Sequence, residues 1–163
     1  MNRKKAGICL LALSLVCLGA CRKQPKYTND LTAAELAKDA QIALQETEYL
    51  EADGNYLSDY VQLPDGMDDY RICFASDGNN LNEFGIWHAE SGKTEEMRAL
   101  LAGYLKSSLE KNRSFYDSYI PQETPKLRDA EVRVYGNYVA YAIMNDTDRQ
   151  RFFHTLEQDL LIK

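Results

Sequence analysis

Histidine is scarce in this 163-residue chain, which has only two. The two histidines, His88 and His154, stand far apart, and neither belongs to a His-x-x-x-His or Cys-x-x-Cys pattern, so a zinc centre is not expected. There is no Gly-x-Ser-x-Gly elbow, no phosphate loop and no dinucleotide fingerprint, and no cofactor is implied. Four cysteines are present, but Cys9, Cys17 and Cys21 crowd the N-terminus and leave Cys73 as the sole cysteine of the remaining chain. An intrachain disulfide in that part is therefore excluded. Cys73 lies in the apolar run Tyr70 to Ala75, where a thiol acts as a small buried hydrophobe and not as a nucleophile.

What is present begins at the N-terminus. Arg3, Lys4 and Lys5 precede an apolar stretch from Ile8 to Leu18, which runs into Leu18-Gly19-Ala20-Cys21. The apolar core is about a dozen residues, short of the roughly 20 that a bilayer-spanning helix needs. Small residues before a cysteine are the pattern of a lipoprotein signal, so residues 1–20 are expected to be cleaved and Cys21 to carry a diacylglycerol. A cleaved signal peptide without lipidation is the rival reading. The expected location is the outer face of a bacterial plasma membrane, with the membrane as one partner through the lipid anchor.

Three of the 19 basic residues lie in residues 1–20, which leaves 16 against 25 acids and a formal charge of −9 on the expected mature chain. That balance excludes nucleic acid as a favoured partner. Arg22, Lys23 and Lys26 follow Cys21 directly, and the acidic remainder is repelled by anionic headgroups, so the domain is expected to stand off the membrane. Residues 21–30 read as the lipidated cysteine and a tether, reaching at most roughly 30 Å. Residues 31–163 read as one domain.

Within it, Thr32-Ala33-Ala34-Glu35 is a capping box and opens a helix predicted over Thr32 to Glu48. Tyr49 to Asp69 contains Gly54, Pro64 and Gly66 among apolar residues and reads as a connection packed on the core. Tyr70 to Ala75 and Glu83 to Ala89 flank a turn cluster and predict an antiparallel hairpin. From Thr94 a helical stripe of Met97, Leu100, Leu101, Tyr104, Leu105 and Leu109 runs on toward Pro121, with acids in its first turn and Lys111 and Arg113 near its end. Ala130 to Tyr135 and Tyr138 to Met144 enclose Gly136-Asn137, which suits a primed two-residue turn. Asn145 caps a last helix with Phe152, Phe153, Leu156 and Leu160. The predicted fold class is α+β: helix, hairpin, helix, hairpin, helix, with the helices on one face of a four-stranded, mainly antiparallel sheet.

These elements carry a set of short motifs: Asp39-Ala40, Leu63-Pro64, Phe115-Tyr116 with Tyr119-Ile120-Pro121, and Tyr135-Gly136-Asn137-Tyr138-Val139. In their order, over about Leu36 to Leu160, the chain resembles domain-of-unknown-function family 4358, a group of bacterial lipoproteins found mainly among Firmicutes. The resemblance implies an anchored protein on the outer face of a Gram-positive membrane, and it carries no catalytic residue or substrate with it. Phe84-Gly85-Ile86-Trp87-His88 departs from the plainer strand of the relatives and points to a specialisation around Trp87.

The expected function is binding or assembly at the cell envelope, with a protein or small ligand as partner; a solute-binding lipoprotein is the second reading and an envelope hydrolase the third. With 11 tyrosines and one tryptophan, some aromatic rings are expected at the surface. Trp87, Tyr116, Tyr119, Tyr138 and Tyr141 are the candidate binding residues, on the sheet face or beside the Tyr49 to Asp69 connection. No catalytic and no metal-ligating residue is assigned. Asp65-Gly66-Met67-Asp68-Asp69 and Asn145-Asp146-Thr147-Asp148 are acidic clusters that read as an Asx-rich turn and a helix cap, because the first lacks the alternating ligands and closing Glu of a calcium loop.

Overall fold

The computed structural model describes residues 25–45, 47–52, 56, 65, 67 and 69–162. The expected signal, residues 1–20, and Cys21 lie outside the described residues, as does most of the connection between Tyr49 and Asp69.

The described elements follow the order α1 (Ala33–Ala43), β1 (Tyr49–Glu51), β2 (Asp69–Ala75), β3 (Glu83–His88), α2 (Thr94–Tyr119), α3 (Thr124–Arg128), β4 (Glu131–Tyr135), β5 (Tyr138–Ile143) and α4 (Asp146–Leu160). The α+β class holds, and the two hairpins form at the expected residues. The sheet has five strands in the order β1-β2-β3-β5-β4, every neighbour antiparallel, and not four. The fifth is β1, where the backbone leaves the helix earlier than expected: α1 ends at Ala43, and Tyr49 to Glu51 pair with Cys73 to Ala75.

The helices do not share one face. Alternate residues of a strand point to opposite sides of the sheet, and here both sides are covered. Phe84, Ile86, Ala140 and Ala142 meet α1 and α4 through Leu36, Ala40, Phe152, Phe153 and Leu156. Ile72, Trp87, Val139, Tyr141 and Ile143 meet α2 and α3 through Met97, Leu101, Tyr104, Leu105 and Leu127. The physical reason lies in β3 and β5: all six residues of β5 and the first five of β3 are buried. Strands that are apolar on both pleat faces need a layer on each side.

Local chemistry fixes the ends of the elements. The Thr32 hydroxyl accepts from the Glu35 N–H, and the Glu35 carboxylate accepts from the Thr32 N–H, as the capping box requires. Asp69 adds a long-range cap, accepting from the Ala33 N–H at 3.2 Å. The Asn145 side chain accepts from the Asp148 N–H and starts α4. Gly136 has φ +61°, whereas no non-glycine residue has positive φ among the described residues. A positive φ at the first turn residue and not at Asn137 is the type II′ member of the primed turns. Helix α2 opens with Glu95 and Glu96 but continues to Tyr119, so Lys111 and Arg113 fall short of its last turn.

The chain before α1 does not hang free throughout. Tyr27 bridges Leu161, Thr28 N–H donates to the Leu160 carbonyl at 2.9 Å, and Ile162 N–H donates to the Lys26 carbonyl at 2.9 Å. The Tyr27 ring meets Tyr135 edge-on, 5.6 Å between centroids. Contacts with the domain thus start at Lys26, within the stretch expected to act as tether.

Candidate functional site

Strand β3 begins with a charge. Glu83 shares a pleat face with Gly85 and Trp87, so its carboxylate is turned toward α2 and is only 8 % exposed. Gly85 is paired with Tyr141 of β5, and that pairing decides what lies above it. A Cβ at Gly85 would stand 2.5 Å from both the Trp87 and the Tyr141 rings. The missing side chain lets the two rings close over the strand at 5.8 Å between centroids, and the Tyr141 hydroxyl reaches Glu83.

Three phenols converge on this carboxylate. Tyr141 and Tyr104 donate to Oε1, the latter at 2.9 Å, and Tyr56 donates to Oε2 at 2.9 Å. Each comes from a different element: β5, α2 and the connection after β1. Tyr104 lies on the inward stripe of α2 with Met97, Leu101 and Leu105, which is what the 3.6-residue period dictates. Its ring meets Tyr141 edge-on, while Tyr56 stacks on Phe74. Burial, and after it the Glu83 charge, push the Tyr104 phenol far above its ordinary range, and burial does the same to Tyr141. Both therefore keep their protons and act as donors.

Donors on both oxygens suit the ionised, acceptor-only form of the carboxylate. Taking such a group out of water costs several kcal/mol, against about 1.5–3 kcal/mol for each hydrogen bond to a charge. A basic partner would complete the compensation, yet none of the ion pairs among the described residues includes Glu83.

Beside Glu83 a cleft of about 90 Å³ opens between α2, α3 and the β2–β3 turn, walled by Tyr56, Leu81, Tyr104, Ser108, Asn112, Tyr116, Leu127 and Ile143. The turn is tied down from below. Glu123 accepts from the Leu81 N–H at 2.9 Å and pairs with Lys126, whose ammonium also donates to Asn80 at 2.9 Å. Among its described lining residues the cleft adds no second carboxylate, histidine or cysteine to Glu83. Its described lining offers recognition by charge, hydroxyl and amide.

The five aromatic residues singled out from the sequence do not form one surface. Trp87 is fully buried, stacked between Tyr70 and Tyr141. Tyr138 is buried on the opposite face, stacked on His88 at 4.3 Å and donating to the Leu31 carbonyl at 2.7 Å. Tyr141 is buried in the Glu83 network. For these three a role as surface contacts is corrected: strands buried on both faces leave no open sheet face to present them. Tyr116 lines the cleft, half-buried, and Tyr119 is exposed one turn further along α2 beside exposed Phe115. Glu83, Tyr104 and Tyr56 were not singled out. Glu83 has only its parity as a signal in the sequence, two and four positions before Gly85 and Trp87, while Tyr104 shows only the inward stripe of α2 and Tyr56 falls in the connection after β1.

The acidic clusters lie at opposite ends of the sheet. Asp69 pairs in register with His88, while Asn145 follows the strand end at which Ile143 pairs with Glu83. Gly66 and Asp68 of the first cluster lie outside the described residues. Among the described residues no three acidic, histidine or cysteine side chains gather as a metal site. Cys73 is buried and its thiol is raised to about 11, chiefly by desolvation, which keeps it protonated and inert.

Fold and cleft together define an α+β domain with an antiparallel sheet between two helical layers and a buried carboxylate at one end of the sheet. The chain belongs to the domain of unknown function family DUF4358, whose model matches residues 47–144. The match spans β1 to β5 and therefore Glu83, Tyr104 and Tyr141; it omits α1, which carries the Asp39-Ala40 motif, and α4. No curated protein and no solved structure is detectably similar to the chain. Among the described residues no helix is long and apolar enough to cross a membrane.

Proposed function

We propose that this chain is a membrane-anchored, extracytoplasmic binding module, held by lipid on Cys21 at the outer face of a bacterial plasma membrane, with the Glu83 cleft as its ligand site. One observation carries the reading: the first described residues of the chain, around Tyr27, and the cleft lie at opposite ends of the sheet. Tyr27 packs beside Gly136, at the end where Tyr138 pairs with His88. Glu83 and Ile143 mark the other end. From Cys21 to Lys26 the chain reaches at most about 18 Å, so a lipid on Cys21 holds the Gly136 end near the bilayer and turns the cleft away from it.

That orientation suits a module that meets a partner in the envelope. Tyr119 and Phe115 extend the same outward end, exposed on the last turns of a helix about 39 Å long. Aromatic residues supply contact area at low entropy cost. Capture of one envelope protein by crosslinking in intact cells, lost in Cys21→Ala, is the expected result; labelling that is the same with and without Cys21 would count against the anchored module. A second reading, a receptor for a small solute, is favoured by the enclosure of the cleft by side chains from α2, α3, β3 and β5.

A further inference from the structure

We propose that the Glu83 cleft receives a compact organic ammonium group, of methylammonium to tetramethylammonium size. The inference rests on the reading of the cleft as a ligand site and adds the chemistry of what enters it.

Glu83 is buried and accepts from three phenols, but these are neutral donors, and no described lysine, arginine or histidine pairs with it. A buried carboxylate compensated only by dipoles retains its net charge, and the group that completes it is a cation. The space beside it is about 90 Å³, room for several water molecules and so for a small headgroup, not a whole sugar or nucleotide. Three of the side chains that border that space with Glu83 are Tyr56, Tyr104 and Tyr116. Aromatic rings around an acidic floor are the recognition chemistry of alkylated ammonium groups, through attraction of the cation to the ring faces. Ser108 and Asn112 offer polar atoms at the wall for an N–H or hydroxyl of the ligand. The excess of acids over bases in the chain favours the approach of cations and opposes anions.

The other candidate groups are already engaged. Arg149 is buried between Glu131, Asp146 and the Met144 carbonyl. Lys126 is held by Glu123 and Asn80. His88 faces Asp69 and Tyr138. Glu83 combines burial, a neighbouring cavity and the lack of an opposite charge.

The test is titration of the detergent-solubilised full chain with tetramethylammonium chloride at constant ionic strength, read by intrinsic fluorescence, with tert-butanol as the neutral counterpart and potassium chloride as the inorganic one. Saturable binding of the ammonium salt alone is expected, weakened at least tenfold in Glu83→Gln and in Ser108→Lys, which sets a resident ammonium at the cleft wall, and kept within threefold in Tyr138→Phe on the opposite face of the sheet. Thermal melts of the variants separate lost binding from lost folding, and Ser108→Lys, at a half-buried position of α2, still decides if Glu83→Gln does not fold. Equal response to tert-butanol, equal response to potassium, unchanged binding in Glu83→Gln or no binding at all would overturn the inference. Failure here together with Cys21-dependent crosslinking of an envelope protein leaves the binding module standing with a different occupant. Failure of both sinks the module as well.

Discussion

The two faces of the sheet are built from alternate residues of the same strands, yet they end in different chemistry. On the α1 and α4 side the buried side chains are mostly alanine, leucine and phenylalanine, with Cys73, Ile86 and Met144, and the two tyrosines among them, Tyr135 and Tyr138, direct their hydroxyls to main-chain carbonyls of Phe153 and Leu31. On the α2 side Tyr56, Tyr104 and Tyr141 surround a carboxylate, and a cavity opens next to it. The first face is closed by packing. The second leaves a charge answered only by dipoles, which adds nothing to stability that an apolar residue would not. A feature that costs stability and faces a cavity is where function is sought, and this is why the candidate site lies under α2.

The largest effect is expected from emptying the closed face. Phe152→Ala removes a fully buried ring packed on Phe84 and Phe153 and is expected to cost about 4 kcal/mol, measured by denaturant unfolding. Filling the other face ranks next. Gly85→Ala drives a methyl group into Trp87 and Tyr141 and is expected to cost about 3 kcal/mol, because both rings are fully buried and have no room to retreat.

Removing one donor from the carboxylate sharpens the contrast further. Tyr141→Phe leaves Glu83 with two phenols and is expected to lose about 2 kcal/mol, whereas Tyr138→Phe, whose hydroxyl meets only a carbonyl, is expected to lose about 1 kcal/mol. A similar result for the two variants would show that the Glu83 network is no more demanding than the other face.

Alkaline pH separates folded from unfolded tyrosines. Burial raises Tyr49 and Tyr135 to about 12, and Tyr104 and Tyr141 higher. A group whose pKa is raised in the folded state holds its proton there while the unfolded chain loses it. Stability is then fully present below pH 10 and falls as pH rises from 10 toward 12, by about 1.4 kcal/mol per pH unit for each such tyrosine. Chemical unfolding at pH 8, 10 and 11 checks both the sign and the slope. The smallest expected effect is Thr32→Ala, about 1 kcal/mol for the loss of the α1 cap.

Much of this fold is legible in the chain. Thr32 and Glu35 announce α1, Asn145 announces α4, Gly136-Asn137 announces the second turn, and the stripe from Met97 to Leu105 announces α2. Strand β1 is not legible, because its three residues, one half-buried and two exposed, carry no period and pair through the backbone with Cys73 to Ala75. Helix α3 is five residues after a proline-containing turn and leaves little more trace than Thr124-Pro125. The second helical layer is legible in principle: six consecutive apolar residues from Tyr138 to Ile143 mark a strand buried on both faces. An antiparallel sheet with one covered face is the simpler reading of two hairpins, and it fails here for that reason.

The site is harder to read. Tyr141 and Tyr116 stand out as aromatic residues, but Glu83 is one acid among 25, and only its parity with Gly85 and Trp87 sets it apart. Tyr104 and Tyr56 reach it from 21 and 27 residues away, a convergence that no local pattern encodes.

The most direct measurement is photocrosslinking in intact cells from two positions at opposite ends of the domain, Tyr119 beyond the cleft and Ser91 at the end where Tyr27 packs on Gly136, with Cys21→Ala as control. Capture of a defined partner from Tyr119 and not from Ser91, dependent on Cys21, is the result expected of an anchored module that presents its cleft outward. Capture from Ser91 alone, or from Tyr119 without any dependence on Cys21, would contradict it.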